Sequence, residues 1–163
     1  MAASPRRSNV GDMAALKDLR WPLVLGLGAL ALARPVTNTV FDQTGADRPA
    51  GLPVILTVVI TVVWVGVVGL RDIARPVLTL VCTGLAYAVF ATVLSAALSP
   101  MLTGELQGPL AKPFAIVPML LVNGAWGAAA GGLALLVQRA RGVRPPADTA
   151  DARRRDLDTG PRP

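Results

Sequence analysis

The chain has 163 residues, of which 53% are hydrophobic and 16% charged, and a formal net charge of +6; its mean hydropathy is +0.54 and its isoelectric point about 11.0. A chain of this length forms one domain, and apolar content this high belongs to a membrane protein rather than a soluble globule. With no histidine and Cys82 as the single cysteine, an imidazole base, a His-ligated metal, a Ser-His-Asp triad, an intramolecular disulfide and a C-x-x-C redox pair are all excluded.

Residues 1–20 read as a basic cytoplasmic arm carrying Arg6, Arg7, Lys17 and Arg20. A membrane helix needs about 20 predominantly apolar residues to cross a hydrocarbon core of about 30 Å. Four segments meet this requirement, at 21–40, 53–70, 74–98 and 113–138. In lipid every backbone N–H and C=O is satisfied within its own segment, so all four are expected to be helical, including the β-branched run 54–65. The expected fold is therefore all-α, a bundle of four transmembrane helices over 21–138. A competing reading takes the apolar run 23–30 and Ala31-Leu32-Ala33 as a signal peptide with its cleavage site, which would leave three spans. Trp21-Pro22, an interfacial aromatic with Pro in the first turn, favours a helix start instead.

Between the spans lie 41–52, rich in Asp, Gly and Pro, the short Arg71-Asp72-Ile73 turn, and 99–112 with two prolines. Pro118 falls inside the fourth apolar segment and is expected to kink it. The stretch 99–118 reads as a surface loop followed by a kinked helix, with a partly re-entrant segment as the alternative. Residues 139–163 form a basic tail with little to bury and are expected to be disordered.

Thirteen of the 16 basic residues fall on the arm, the second loop and the tail. Cationic flanks resist translocation, so both termini are placed in the cytoplasm of a bacterium, with the bundle in its inner membrane. The exceptions, Arg34, Arg48 and Lys112, lie toward the opposite face. This distribution assigns the basicity to membrane flanks that attract anionic lipid headgroups, and no nucleic-acid partner is expected.

Helices in lipid associate through close packing at small residues and through interhelical hydrogen bonds. Gly127 and Gly131 form a G-x-x-x-G in the fourth span, with Gly124, Ala128 and Gly132 as a second small row beside it. In the third span Gly84, Ala88, Ala91 and Ser95 make a comparable stripe. Packing within one bundle is the first reading of these rows; self-association, or docking of another membrane protein, is the second.

The polar residues inside the spans are few. Arg34 lies about 9 Å inside the outer end of a helix that stops at Val40. There it either snorkels outward or ends the helix early at Arg34-Pro35, or else it supplies the charge of an outward-facing polar pocket, with Glu105, Asp42 or Asp47 as partner. Thr57, Thr61, Thr79, Thr83, Tyr87 and Asn123 lie near mid-span; Asn123 is expected to seek Tyr87 or Thr61 across the bundle.

The Asn123-Gly-Ala-Trp-Gly run and the span count look superficially like a prolipoprotein signal peptidase, but that chemistry needs two facing carboxylates and no span interior contains Asp or Glu. The same lack argues against proton-coupled cation export of the kind small multidrug exporters perform. The segment from Ser99 to Ala111 and the fourth span are similar to small uncharacterised membrane proteins of high-GC bacteria, a resemblance that covers most of residues 21–140 and implies only the structural class. The reading that follows is a non-enzymatic accessory or structural component without cofactor or metal. The alternative is an oligomeric small-molecule channel or carrier whose pocket uses Arg34, Glu105, Tyr87 and Asn123.

Overall fold

The computed structural model describes residues 19–71 and 73–143. The arm up to residue 18, Asp72 and the tail from residue 144, with the arginines assigned to them above, lie outside the described residues. Those described are helical or in turns and loops: α1 (Trp21–Ala31), α2 (Ala33–Thr44), α3 (Leu52–Leu70), α4 (Pro76–Thr103), a single 3-10 turn (Pro113–Ala115) and α5 (Ile116–Ala140). With α1 and α2 counted as one broken helix and the 3-10 turn joined to α5, four helices are long and apolar enough to cross a membrane. The bundle has one end with the short 71–75 connection and one with the longer connections 45–51 and 104–112. These are called the short-loop and long-loop ends below.

The first helix is longer than its expected range of 21–40 and is broken. It reaches Thr44, where Gly45 takes a left-handed φ of 65°, and it is interrupted at Leu32, whose N–H bonds to Ala29 O three residues back. The cause is Pro35, which has no N–H to return to the carbonyl of Ala31. The third helix also overruns its expected range of 74–98. It passes through Pro100 and ends at Thr103 against Gly104, whose φ is 75° and whose N–H bonds to Pro100 O. Pro118, by contrast, is the third residue of α5. There its missing N–H breaks no helical bond, so the expected kink has no cause.

Helices α4 and α5 pack along most of their length, α1 docks on α4, and α3 docks on α5. The α4/α5 contact is made backbone to backbone. A Cβ on Gly127 would meet the Leu80 carbonyl carbon and Val81 Cα at 2.9 Å each, and one on Gly131 would meet Val77 Cα at 2.5 Å. Gly84 faces the backbone carbonyl of Asn123 in the same way. On the flanks, Gly28 lets α1 approach Tyr87 N and Ala86, and Gly69 lets α3 approach Val137 and the Ala134 carbonyl. Gly124 meets only the end of Leu85, and Gly132 meets nothing within 4 Å, so the two small rows of the fourth span differ: one is filled by α4 and the other is open.

The buried core comprises Leu27, Ala31, Trp64, Val68, Leu80, Ala130 and Ala134, and no residue of α2 belongs to it. Outside it Val54, Ile55, Val62, Val93, Leu121 and Val122 are exposed, an exterior matched to hydrocarbon rather than water. Among such surfaces, interhelical hydrogen bonds add register. Trp64 Nε1 donates to Leu27 O at 3.1 Å, closing α3 onto α1. At the short-loop end Gln138 Nε2 donates to Val68 O and Arg71 O, both at 3.0 Å, and to Ile73 O at 3.3 Å. Arg141 donates to Gly69 O and Leu70 O. Gln138 of α5 and Arg141, the residue after its end, thus cap carbonyls that the C-terminus of α3 leaves free.

Two substitutions separate these contributions. Gly127→Ala forces α4 and α5 apart and is expected to lower stability by about 1–3 kcal/mol, whereas Gly132→Ala, with open space around it, is expected to be neutral or to stabilise by up to about 1 kcal/mol. Gln138→Leu leaves buried carbonyls of α3 unpaired and is expected to cost about 1–3 kcal/mol. Unfolding in mixed detergent micelles, followed by helical circular dichroism, measures all three.

Candidate functional site

Toward the long-loop end from the Gly84 and Asn123 contact, the bundle interior opens into a cavity of about 260 Å³. All four spans contribute. The broken first helix supplies Ala31 and Arg34, α3 supplies Thr57, Ile60, Thr61 and Trp64, α4 supplies Tyr87, and α5 supplies Asn123 and Trp126. Ala31 and Trp64 are buried and form its floor, while Arg34 and Trp126 are exposed and stand at its mouth. Gly84 matters here indirectly: without a Cβ on α4, α5 can bring the Asn123 backbone against it, which sets the Asn123 side chain at the cavity wall.

Arg34 is placed by the extension of α2. With the helix running to Thr44, Arg34 is ten residues from its end, about 15 Å at 1.5 Å per residue, rather than about 9 Å. That is near the middle of the Trp21–Thr44 segment, where Arg34 is exposed. The acids named as partners are elsewhere. Asp42 faces Arg48 at 4.0 Å, the one salt bridge among the described residues, Asp47 is exposed in the 45–51 connection, and Glu105 is exposed in the 104–112 loop. Among the described residues no carboxylate, Glu105 included, lines the cavity.

The neutral polar groups are mostly self-satisfied. Thr57 Oγ1 donates to Pro53 O at 2.8 Å and Thr61 Oγ1 to Thr57 O at 2.7 Å, the usual return of a helical Thr to the preceding turn. Trp126 Nε1 donates to Thr61 Oγ1 at 3.2 Å, so a chain of bonds runs from α5 to the α3 backbone. Asn123 Nδ2 donates to Met119 O at 2.8 Å within its own helix, not to Tyr87 or Thr61. The Arg34 guanidinium and the Tyr87 hydroxyl make no hydrogen bond with any described residue. One turn beyond Arg34 on the same face, Asn38 Oδ1 is buried without a partner.

Sequence reasoning named three members of this site, Arg34, Tyr87 and Asn123, and the fold brings them together with the Thr57 and Thr61 pair. It missed Trp64 and Trp126, which carry no signal of their own in an apolar helix. Trp126 lies within the Asn123-Gly-Ala-Trp-Gly run, but its partner Thr61 is 65 positions away.

A second, wider cavity of about 500 Å³ lies between α2 and the end of α4, lined by Thr39, Asp42, Gln43, Ser95, Ser99 and Gln107 among others. Its hydroxyls are used locally: Ser99 bonds to Ser95 O, and Ser95 and Ser99 both reach Gln107 O at 3.4 Å, folding the 104–112 loop back over α4. It is a loop-closing region with no unpaired cation. Among the described residues no group of three Cys, Asp or Glu side chains is gathered that could hold a metal ion. No family model matches the chain, and comparison with the curated proteins and with the solved structures returns no similar protein.

Proposed function

We propose that this chain is a multi-pass protein of a bacterial inner membrane, with both termini cytoplasmic, that binds a small molecule in the central cavity as a non-enzymatic carrier or channel component. The observation that carries this reading is the gathering of Arg34, Tyr87 and Asn123 from three helices around one cavity at mid-span. An ionisable residue at that depth is expensive, costing about 2.5–3.5 kcal/mol at a helix centre on insertion scales, and it marks a ligand or ion pathway when it lines a cavity. A bundle with only a structural role has no need of it, since the short-loop half holds together through glycines and backbone hydrogen bonds.

The orientation follows from charge. Arg20, Arg71, Arg75, Arg139 and Arg141 all belong to the short-loop end, which favours that end for the cytoplasm and for contact with anionic lipid headgroups. The cavity lies on the other side of the tight core, nearer the long-loop face, which this orientation turns outward. The second reading is the accessory component, favoured by the open row at Gly132, where a helix of a second copy or of another membrane protein has room to pack.

Thiol accessibility tests the first reading. In a Cys82→Ala background, Thr57→Cys in the cavity wall is expected to react with membrane-impermeant thiol reagents applied to the outer face of intact cells. Val62→Cys on the exposed apolar face of α3 is expected to be inert. Equal inertness of the two positions would sink the pocket reading and leave the accessory one.

A further inference from the structure

The charge lining the central cavity is one-sided. The indole N–H groups of Trp64 and Trp126 are bonded to Leu27 O and Thr61 Oγ1, and the hydroxyl protons of Thr57 and Thr61 go to backbone carbonyls. Asn123 spends one amide N–H on Met119 O. What remains is the whole donor fork of Arg34, the hydroxyl of Tyr87, the second N–H and the carbonyl oxygen of Asn123, and acceptor lone pairs on Thr57 Oγ1 and Thr61 Oγ1. The open set holds donors and neutral acceptors, and it carries one fixed positive charge. Among the described residues no carboxylate lines the cavity to balance it, and the one salt bridge joins Arg48 to Asp42 instead.

Arg34 stands exposed at the cavity mouth, and a cation facing a cavity whose lining holds no counter-charge attracts an anionic ligand. The charge balance asks for a single negative charge, since a dianion would leave one uncompensated. The fork of a guanidinium matches the two coplanar oxygens of a carboxylate, whereas a phosphate monoester carries nearly two charges at neutral pH. The other walls are Ala31, Ile60, Trp64 and Trp126, surfaces for an apolar body rather than for a polyhydroxylated one. At about 260 Å³ the space falls just below the range of about 300–1,000 Å³ typical of drug-sized ligands. It suits a carboxylate head and a short length of chain.

We infer that the central cavity is a monocarboxylate site, in which Arg34 pairs with the carboxylate and the Tyr87 hydroxyl and Asn123 amide donate the remaining hydrogen bonds. This inference rests on the pocket reading above and goes beyond it by naming the ligand chemistry. Two sources offer that chemistry: a short carboxylate from water, and a fatty acid from the bilayer entering past Arg34 and Trp126 at the mouth.

Of the three tryptophans, two line the cavity, so the full chain carrying Trp21→Phe reports on it by fluorescence. In nanodiscs of neutral lipid, titration with butyrate or decanoate is expected to change the emission saturably, and decyltrimethylammonium is expected not to. Saturation by butyrate alone places the source in water, saturation by decanoate alone places it in the bilayer, and either supports a carboxylate site. Arg34→Gln is expected to raise the half-saturating concentration about tenfold or more, with Arg34→Lys retaining part of the affinity. If circular dichroism shows that Arg34→Gln does not fold, Tyr87→Phe, expected to weaken binding a few-fold, and the comparison of ligand charges carry the test. Equal responses to the anion and the cation, no response to either carboxylate, or a folded Arg34→Gln that binds as the parent does would overturn the inference. A cavity that accepts thiol reagents but ignores carboxylates removes this inference alone, whereas one that is closed to them removes the pocket reading as well.

Discussion

Helices α4 and α5 touch backbone to backbone, and the rest of the bundle is arranged around that contact. Gly127 lies against Leu80 and Val81, Gly131 against Val77, and Gly84 against the carbonyl of Asn123. No side chain intervenes at these points, so the helices approach more closely than any L-residue with a Cβ allows. Helices α1 and α3 then dock on the flanks of the pair with a glycine each, Gly28 and Gly69, and Trp64 ties them together by its bond to Leu27 O. Where small residues give way to Tyr87 on α4 and Asn123 on α5, close approach ends and the cavity begins. Tight packing at one end and open space at the other are two results of one pattern of side-chain size.

Polar groups divide along the same line. In the packed half the polar side chains close on backbone: Gln138 and Arg141 reach across to cap α3, and within α4 Thr79 and Thr83 return to Arg75 O and Thr79 O. The bonds of Gln138 and Arg141 to the end of α3 fix the register of those two helices. In the open half Arg34, Tyr87 and part of Asn123 keep unused capacity. The asymmetry separates residues that hold the bundle together from residues available to a ligand.

Much of the fold was legible because hydropathy and small-residue spacing are local properties. The four apolar segments are visible directly, and the spacing of Gly127 and Gly131 already implies a smooth helix face. The ends of helices were less legible. Three prolines, Pro35, Pro100 and Pro118, carry the same local signal, yet they interrupt a helix, pass through one and open one in turn. What a proline does depends on which carbonyl it deprives of a donor and whether the chain has begun or finished its turn there. For the site, Arg34, Tyr87 and Asn123 could be named in advance because polar side chains are rare within apolar helices. Glu105 was paired with Arg34 only on the basis of charge, and the fold places it in an exposed loop.

The order of amino acids alone establishes an all-helical chain with four segments of membrane-spanning length, a strong imbalance of basic residues between their two ends, and an interior without acidic groups or imidazole. It also supplies two rows of small residues on the fourth span, equivalent by composition. Only packing in three dimensions selects between them, seating Gly127 and Gly131 against α4 while Gly132 faces open space. Packing likewise decides that Arg34 shares a cavity with Tyr87 and Asn123 and with no acid among its described lining residues. The physical reason is common to both: periodicity defines the faces of a single helix, but which face meets which partner depends on the rotation and depth of all four helices at once.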